Sequence, residues 1–221
     1  MNDMDNKEKM TFLQWVDNAW YHYKPQIIIG LLSAILVVTC VIQYASKKEP
    51  DAFIYYVGEG EITVEAAEKF RTDMEELVAD DYNKDGHITV DLKEDVFVMY
   101  SVDSETENNT YVYNSTEQMN IVKRFNMELA MGDCVVYIMD PNLYKANKDY
   151  ILALEDSLGD VPGFAYDDKG IVVSDLPAYR LTGLAAFPEN YIICVRAKRV
   201  SDNDDCYNGN VEFFKNLVEY N

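Results

Sequence analysis

Two hydrophobic patterns divide the chain. Residues 26–45, QIIIGLLSAILVVTCVIQYA, form an apolar run without a single charge. Twenty helical residues reach about 30 Å, which is the thickness of a bilayer core. Beyond residue 51, short apolar runs alternate with stretches in which apolar residues recur at helical spacing. The first pattern predicts a transmembrane helix, and the second predicts a domain of alternating strands and helices.

The pattern beyond residue 51 predicts both the elements and their arrangement. Apolar runs predict strands at residues 52–58, 87–92, 95–102, 134–139, 171–173 and 191–198. Helical spacing predicts helices over about 64–79, over 115–131, from Pro141 through Leu154, and after a cap at Asn210. Because strands and helices alternate, we expect an α/β fold with three layers and a mixed, largely parallel sheet.

The apolar run also predicts the domain organisation. We expect a cytoplasmic juxtamembrane segment at 1–25, a transmembrane helix at 26–45, a linker at 46–51 and an extracytoplasmic α/β domain at 52–221. A cleaved signal peptide is less favoured, because Gln43 stands where a small residue is needed before a cut at Ala45. Lysines flank the span almost equally, so the short leader is the basis for placing the N-terminus inside the cell. The predicted location is the cell membrane, with one span and an extracellular C-terminal domain.

Charge narrows the range of partners. The chain carries a net charge of −20, and residues 49–221 hold 35 acidic against 14 basic residues. Such a domain repels nucleic acid and anionic lipid headgroups, so we expect no nucleic-acid partner. Metal cations and cationic ligands remain compatible with this charge, although a well-solvated acidic surface is the simpler explanation.

A polar stretch between the first helix and the second strand resembles half of a calcium loop. In DYNKDGHITV, residues 81–90, Asp81, Asn83 and Asp85 occupy positions one, three and five. Gly86 stands at the sharp turn, and the His87 carbonyl would be a fourth oxygen ligand. The candidate metal ligands are therefore Asp81, Asn83, Asp85 and His87, with calcium as the candidate ion.

The second half of the calcium pattern is missing. Position twelve is Leu92, and a strand beginning at His87 would turn Leu92 toward the core. Ile88 would then anchor the loop to the core, and Asp91 or a distant acid would have to complete the shell. The alternative is a plain turn, because Asn, Asp and Gly favour turns for their own local reasons. The sequence leaves both alternatives open.

Residues suited to catalysis are few. The histidines are His22 and His87, and no G-x-S-x-G, H-E-x-x-H or phosphate-binding glycine loop occurs. Beyond the span, Cys134, Cys194 and Cys206 are odd in number, so they allow at most one disulfide. We therefore expect that the protein is not an enzyme, and we name no catalytic or cofactor-binding residue.

Two resemblances accompany these patterns. The segment ELAMGDCVVYIMD, residues 128–140, resembles a helix and buried strand of extracellular solute-binding proteins, where it belongs to one lobe of a two-lobe clamp. The leader WVDNAWYHYK, the single span and the order of YYVG, DYNKDGHITV and ELAMGDCVVYIMD resemble an uncharacterised family of membrane-anchored proteins from anaerobic Firmicutes. The first resemblance implies one lobe only, because a complete clamp has two. The second covers nearly the whole chain and implies no activity.

These observations rank three functions. The first is non-enzymatic binding or scaffolding at the cell surface, by a reduced solute-binding-like lobe that holds an unknown small ligand. The second is a subunit of a larger envelope complex that docks on another membrane protein. A surface enzyme is third. A concave pocket would favour the first, and a flat apolar patch of several hundred Å² would favour the second.

Overall fold

The computed structural model describes residues 11–45, 50–97, 99–102, 110–113, 115–180 and 183–220. The chain divides into two compact units, Met1–Lys47 and Lys48–Asn221. We call the second unit the C-terminal domain. Residues 1–10 of the predicted leader and residues 46–49 of the predicted linker lie outside the described residues.

The first unit contains one long helix, α1, at Phe12–Ala45. Its backbone departs from helical angles at Tyr23, two residues before Pro25, which lies inside the helix. This agrees with the steric conflict that a proline ring creates with the preceding turn. Within α1, Trp20–Gln43 is long and apolar enough to cross a membrane, and none of it is buried. One N-terminal apolar helix is compatible with a membrane anchor, and a signal sequence would have the same properties.

The C-terminal domain contains seven strands and five α-helices among its described residues. The strands are β1 Ala52–Gly58, β2 Val90–Val96, β3 Met99–Val102, β4 Thr110–Tyr113, β5 Val136–Met139, β6 Gly170–Val172 and β7 Ile192–Val195. The helices are α2 Val64–Glu75, α3 Ser115–Met131, α4 Pro141–Asn147, α5 Leu154–Leu158 and α6 Asp204–Val218. Short 3-10 helices occupy Lys148–Tyr150, Val173–Asp175, Pro177–Arg180 and Gly183–Ala186.

The main sheet has five strands in the order β2-β1-β5-β7-β6. Strand β1 pairs in parallel with β2 on one side and with β5 on the other. Strand β7 is antiparallel to both of its neighbours, β5 and β6. The mixed α/β sheet is thus confirmed, but only two of its four pairings are parallel. Strands β3 and β4 form a separate antiparallel pair.

Helices cover both faces of this sheet because successive side chains of β1 point to opposite faces and are apolar on both. Ile54 and Tyr56 belong to one apolar cluster, and Tyr55 and Val57 belong to the other. The first cluster also contains buried residues of α2 and α6, among them Phe70, Met74, Phe213 and Phe214. The second contains buried residues of α3, namely Ile121, Phe125 and Leu129. The three-layer arrangement follows from these two cores.

Several predicted boundaries are wrong. Helix α2 ends at Glu75 instead of continuing to 79, and strand β2 begins at Val90 instead of His87. The predicted run 95–102 is divided, since β2 ends at Val96, β3 begins at Met99, and residue 98 lies outside the described residues. The helix that begins at Pro141 ends at Asn147, because Ile151 pairs in a β-bridge with Arg196.

The cap of the last helix was also wrongly predicted. Asn203, not Asn210, caps α6, and its side chain accepts hydrogen bonds from the amides of Asp205 and Cys206. Asn210 lies inside α6 and is buried, where its amide donates to the Asp51 carbonyl oxygen at 3.0 Å. Its Oδ1 accepts from the Phe53 amide at 3.2 Å. Asn210 therefore links the helix to the start of β1.

Candidate functional site

A cavity of about 700 Å³ opens at the carboxyl ends of the three parallel strands. Glu59 follows β1, Phe97 follows β2 and Asp140 follows β5, and all three line this cavity. Within the sheet, β2 lies along one edge of β1, and β5, which comes later in the chain, lies along the other edge. In open α/β sheets, ligands bind outside the carboxyl ends of the strands at such a reversal of strand order. The cavity thus lies where the topology favours binding.

Helices α3 and α4 form the other walls. Their lining residues are Gln118, Met119, Val122 and Lys123 on α3, and Asn142 and Leu143 on α4. The walls therefore combine apolar side chains with a small number of polar and charged groups. Sites for small molecules have the same composition and occupy about 300–1,000 Å³. We refer to this space as the strand-end cavity.

Two buried tyrosines hold the turn after β1. The Tyr191 hydroxyl accepts a hydrogen bond from the Glu59 amide at 2.5 Å, and the Tyr56 hydroxyl donates to the Glu59 carbonyl oxygen at 2.5 Å. The two rings stack with centroids 5.8 Å apart. Burial raises the pKa of both hydroxyls, and the negative charges of Asp140 and Glu59 raise that of Tyr191 further. Neutral hydroxyls therefore fix one side of the cavity.

Glycine makes this contact possible. A Cβ atom at Gly58 would lie 2.1 Å from Cε2 of Tyr191, which is far inside any allowed contact. Gly60 has φ +98°, a left-handed conformation that glycine adopts without strain. The sequence Gly58-Glu59-Gly60 therefore allows a sharp turn that Tyr191 can approach closely.

Asp140 is held with similar firmness. Its amide donates to the Val57 carbonyl oxygen at 3.1 Å, which ties it to β1. Its Oδ1 caps α4 by accepting from the amides of Asn142 at 2.8 Å and Leu143 at 3.4 Å. Among the described residues, no donor contacts the second oxygen, Oδ2. Asp140 thus presents a fixed carboxylate at the cavity wall.

A second groove, of about 480 Å³, lies beside β2 and α3, and two ion pairs lie along it. Arg124 donates to Asp95, which also accepts from the Tyr55 hydroxyl. Lys93 Nζ lies 3.4 Å from Glu128 Oε1. These contacts join the helix to the strand, and we assign this groove a structural role.

The side chains of the calcium-like loop contact the loop's own backbone. Asp81 accepts from the amides of Asp85 and Gly86, at 3.2 and 2.7 Å. Asn83 Oδ1 accepts from the Asp85 amide at 2.8 Å, and Asp85 Oδ1 accepts from the His87 amide at 2.9 Å. The backbone has positive φ at Lys84 and Gly86. These contacts are those of a polar turn.

A distant acid does approach this loop, and it is Asp51. Its buried carboxylate accepts from the amides of Asn83 at 3.2 Å and Thr89 at 3.0 Å. Leu92 is 4% exposed, as predicted, but Ile88 is 39% exposed and does not anchor the loop. Asp51 has that role instead.

Within the described ranges, no group of three or more His, Cys, Asp or Glu side chains is placed to hold a metal ion. Calcium binding by Asp81, Asn83, Asp85 and the His87 carbonyl therefore stays a prediction.

The histidine and the cysteines of the C-terminal domain are not among the residues that line the strand-end cavity. His87 is exposed in the loop, and no disulfide joins any two of the four cysteines. Burial raises the pKa of the Cys134 and Cys194 thiols, which disfavours their reactive thiolate forms.

Sequence reasoning missed the residues of the strand-end cavity. Neither Asp140 nor Glu59 was named as a binding residue. A usable signal was present, because Gly-Glu-Gly stands at the end of one apolar run that predicts a strand, and Asp-Pro directly follows another. Those runs do not predict which strands pair as parallel neighbours, and so they do not predict which turns meet.

Comparison of the chain with protein-family models, with curated proteins and with solved structures finds no match.

Proposed function

We propose that this chain is a membrane-anchored, non-enzymatic binding protein whose extracytoplasmic domain holds a small ligand in the strand-end cavity. The observation that carries the proposal is the position of that cavity, at the carboxyl ends of β1, β2 and β5, where the strand order reverses. The firm hold on Glu59 and Asp140 supports it, because a site built on rigid elements loses little freedom when a ligand binds.

The apolar helix α1 supports the anchored part of the proposal. We further propose that the N-terminus lies in the cytoplasm and the acidic domain outside. We propose that the domain corresponds to one lobe of a solute-binding protein, and that the family of membrane-anchored Firmicutes proteins shares its role. A single lobe lacks a second lobe to close over its ligand. We therefore expect modest affinity and rapid exchange.

The test is ligand-induced stabilisation of the full chain in neutral detergent micelles. A panel of small solutes is screened by thermal unfolding, since a ligand at 100 times its Kd adds about 2.7 kcal/mol to the folded state. Met119→Trp should fill the cavity and abolish the shift. Met127→Trp is the matched control, because both methionines lie exposed on α3, at 56% and 59%, but only Met119 lines the cavity. Equal shifts in both variants would contradict the proposal.

The alternative is a subunit of an envelope complex, favoured by one observation. Met119, Met127 and Met131 are exposed on α3, in steps of four or eight residues that keep them on one side of the helix. Flexible thioether side chains suit adaptable protein contacts. Crosslinking in cells from a photoreactive residue at position 127 tests this role. A discrete adduct lost in Met131→Asp would support it.

A further inference from the structure

We infer that the ligand of the strand-end cavity is a small organic molecule with a protonated amine attached to an apolar body. This inference rests on the proposed function and adds the chemical class of the ligand. It depends on three features of the cavity: the balance of charge, the fixed acid at the end of β5 and the apolar wall of α3 and α4.

The charged residues of the cavity favour a cation. Glu59 and Asp140 contribute two carboxylates, and Lys123 contributes one ammonium group. The surrounding field has the same sign, since residues 49–221 hold 35 acidic and 14 basic residues. A domain with this charge concentrates small cations near its surface and repels anions, more strongly at low salt.

The carboxylate of Asp140 and the ammonium group of Lys123 also differ in how firmly they are held. Asp140 is fixed by the hydrogen bond from its backbone amide to the Val57 carbonyl oxygen and by its cap of α4, and its Oδ2 faces no donor among the described residues. Lys123 is exposed, and its long stem can turn the charge into solvent. A fixed carboxylate loses less freedom on binding than a mobile lysine does, so the ion pair with Asp140 should decide the affinity.

The remaining lining requires an apolar body on the ligand. Phe97, Met119, Val122 and Leu143 line the cavity together with the charged groups. A bare cation such as sodium would leave this apolar wall in contact with water. An ammonium group that carries an aromatic or aliphatic chain satisfies both kinds of surface.

Three probes of matched shape separate the possibilities, with the full chain in neutral detergent micelles and titration calorimetry as the readout. Phenethylamine carries the amine alone, phenylalanine carries an amine and a carboxylate, and 3-phenylpropionate carries the carboxylate alone. We expect phenethylamine or phenylalanine to bind at least about ten-fold more tightly than 3-phenylpropionate, which corresponds to one charge-assisted contact. If phenylalanine binds more tightly than phenethylamine, Lys123→Gln should remove this difference in affinity.

The decisive variant is Asp140→Asn. Asparagine is as good a helix cap as aspartate, so this change removes the charge and keeps the local structure. We expect about ten-fold weaker amine binding in Asp140→Asn, unchanged circular dichroism, and a smaller dependence of binding on salt.

Three results would overturn the inference: 3-phenylpropionate binding as tightly as the amines, unchanged amine binding in Asp140→Asn, or no binding of either amine at millimolar concentration. If 3-phenylpropionate binds and Met119→Trp abolishes that binding, the ligand class is wrong but the proposed function stands. If an amine binds wild type and Met119→Trp equally, both ideas fail.

Discussion

Replacing Gly58 by alanine should damage the fold and the strand-end cavity together. The new Cβ would lie 2.1 Å from Cε2 of the buried Tyr191 ring, whereas carbon atoms in contact are separated by about 3.5 Å. The ring must therefore retreat by about 1.5 Å. Such a movement breaks the hydrogen bond between the Tyr191 hydroxyl and the Glu59 amide and disturbs the stacking on Tyr56.

The magnitude follows from these two losses. Overpacking a buried position costs about 1–3 kcal/mol, and a lost hydrogen bond costs about 0.5–1.5 kcal/mol. We therefore expect Gly58→Ala to lower the free energy of unfolding by about 1.5–4.5 kcal/mol. Gly163→Ala is the control, because a Cβ at Gly163 meets no atom within 4 Å.

The assay is urea unfolding of the full chain in micelles, followed by the near-ultraviolet circular dichroism of tyrosine. Tryptophan fluorescence does not report on the C-terminal domain, because the two tryptophans are Trp15 and Trp20. The refuting result is a Gly58→Ala protein within about 0.5 kcal/mol of Gly163→Ala, since changes that disturb no packing fall in that range.

Three further predictions concern the rest of the domain. Asp202→Asn should cost about 3–5 kcal/mol in urea unfolding, because it leaves the guanidinium of Arg196, 2% exposed, without its counter-charge. Burial raises the pKa of Asp202, but hydrogen bonds from Arg196 and Arg199 outweigh this and hold it well below its usual value. The stabilisation from Asp202 is therefore present above about pH 4 and lost as the pH falls through the lowered value, so Asp202→Asn should show a shallower acid titration of stability than wild type. Asp51→Ala should cost about 2–4 kcal/mol in the same assay, since two amides lose a charged acceptor, and a change under 0.5 kcal/mol would contradict its anchoring role. Calcium binding by the loop of Asp81, Asn83 and Asp85 is tested by the Tm, since a cation that binds only the folded state raises it: a rise with calcium that EDTA reverses would support the prediction, and an unchanged Tm would refute it.

Local patterns predicted most elements because each depends on neighbours in the chain. The apolar run at 26–45 contains no charged residue, so it predicted a helix suited to a membrane without tertiary information. Strand β1 was predicted at 52–58 and helix α3 at 115–131, and both are confirmed. Element ends were less predictable. Asparagine is a residue type that favours helix caps, but Asn210 instead forms hydrogen bonds with the start of β1. Only the packing of α6 could specify that contact.

The strand-end cavity depended on tertiary structure throughout. Glu59, Phe97 and Asp140 are widely separated along the chain, and they meet only because β2 and β5 both pair in parallel with β1. Hydrophobic periodicity specifies which face of a strand is buried, but it carries no information about which strands are neighbours. The acid that approaches the calcium-like loop has the same origin, since Asp51 reaches Asn83 and Thr89 through the alignment of β1 with β2. The sequence alone thus determined the apolar span, the acidic charge and most of the elements, whereas strand pairing decided which of their ends form a site.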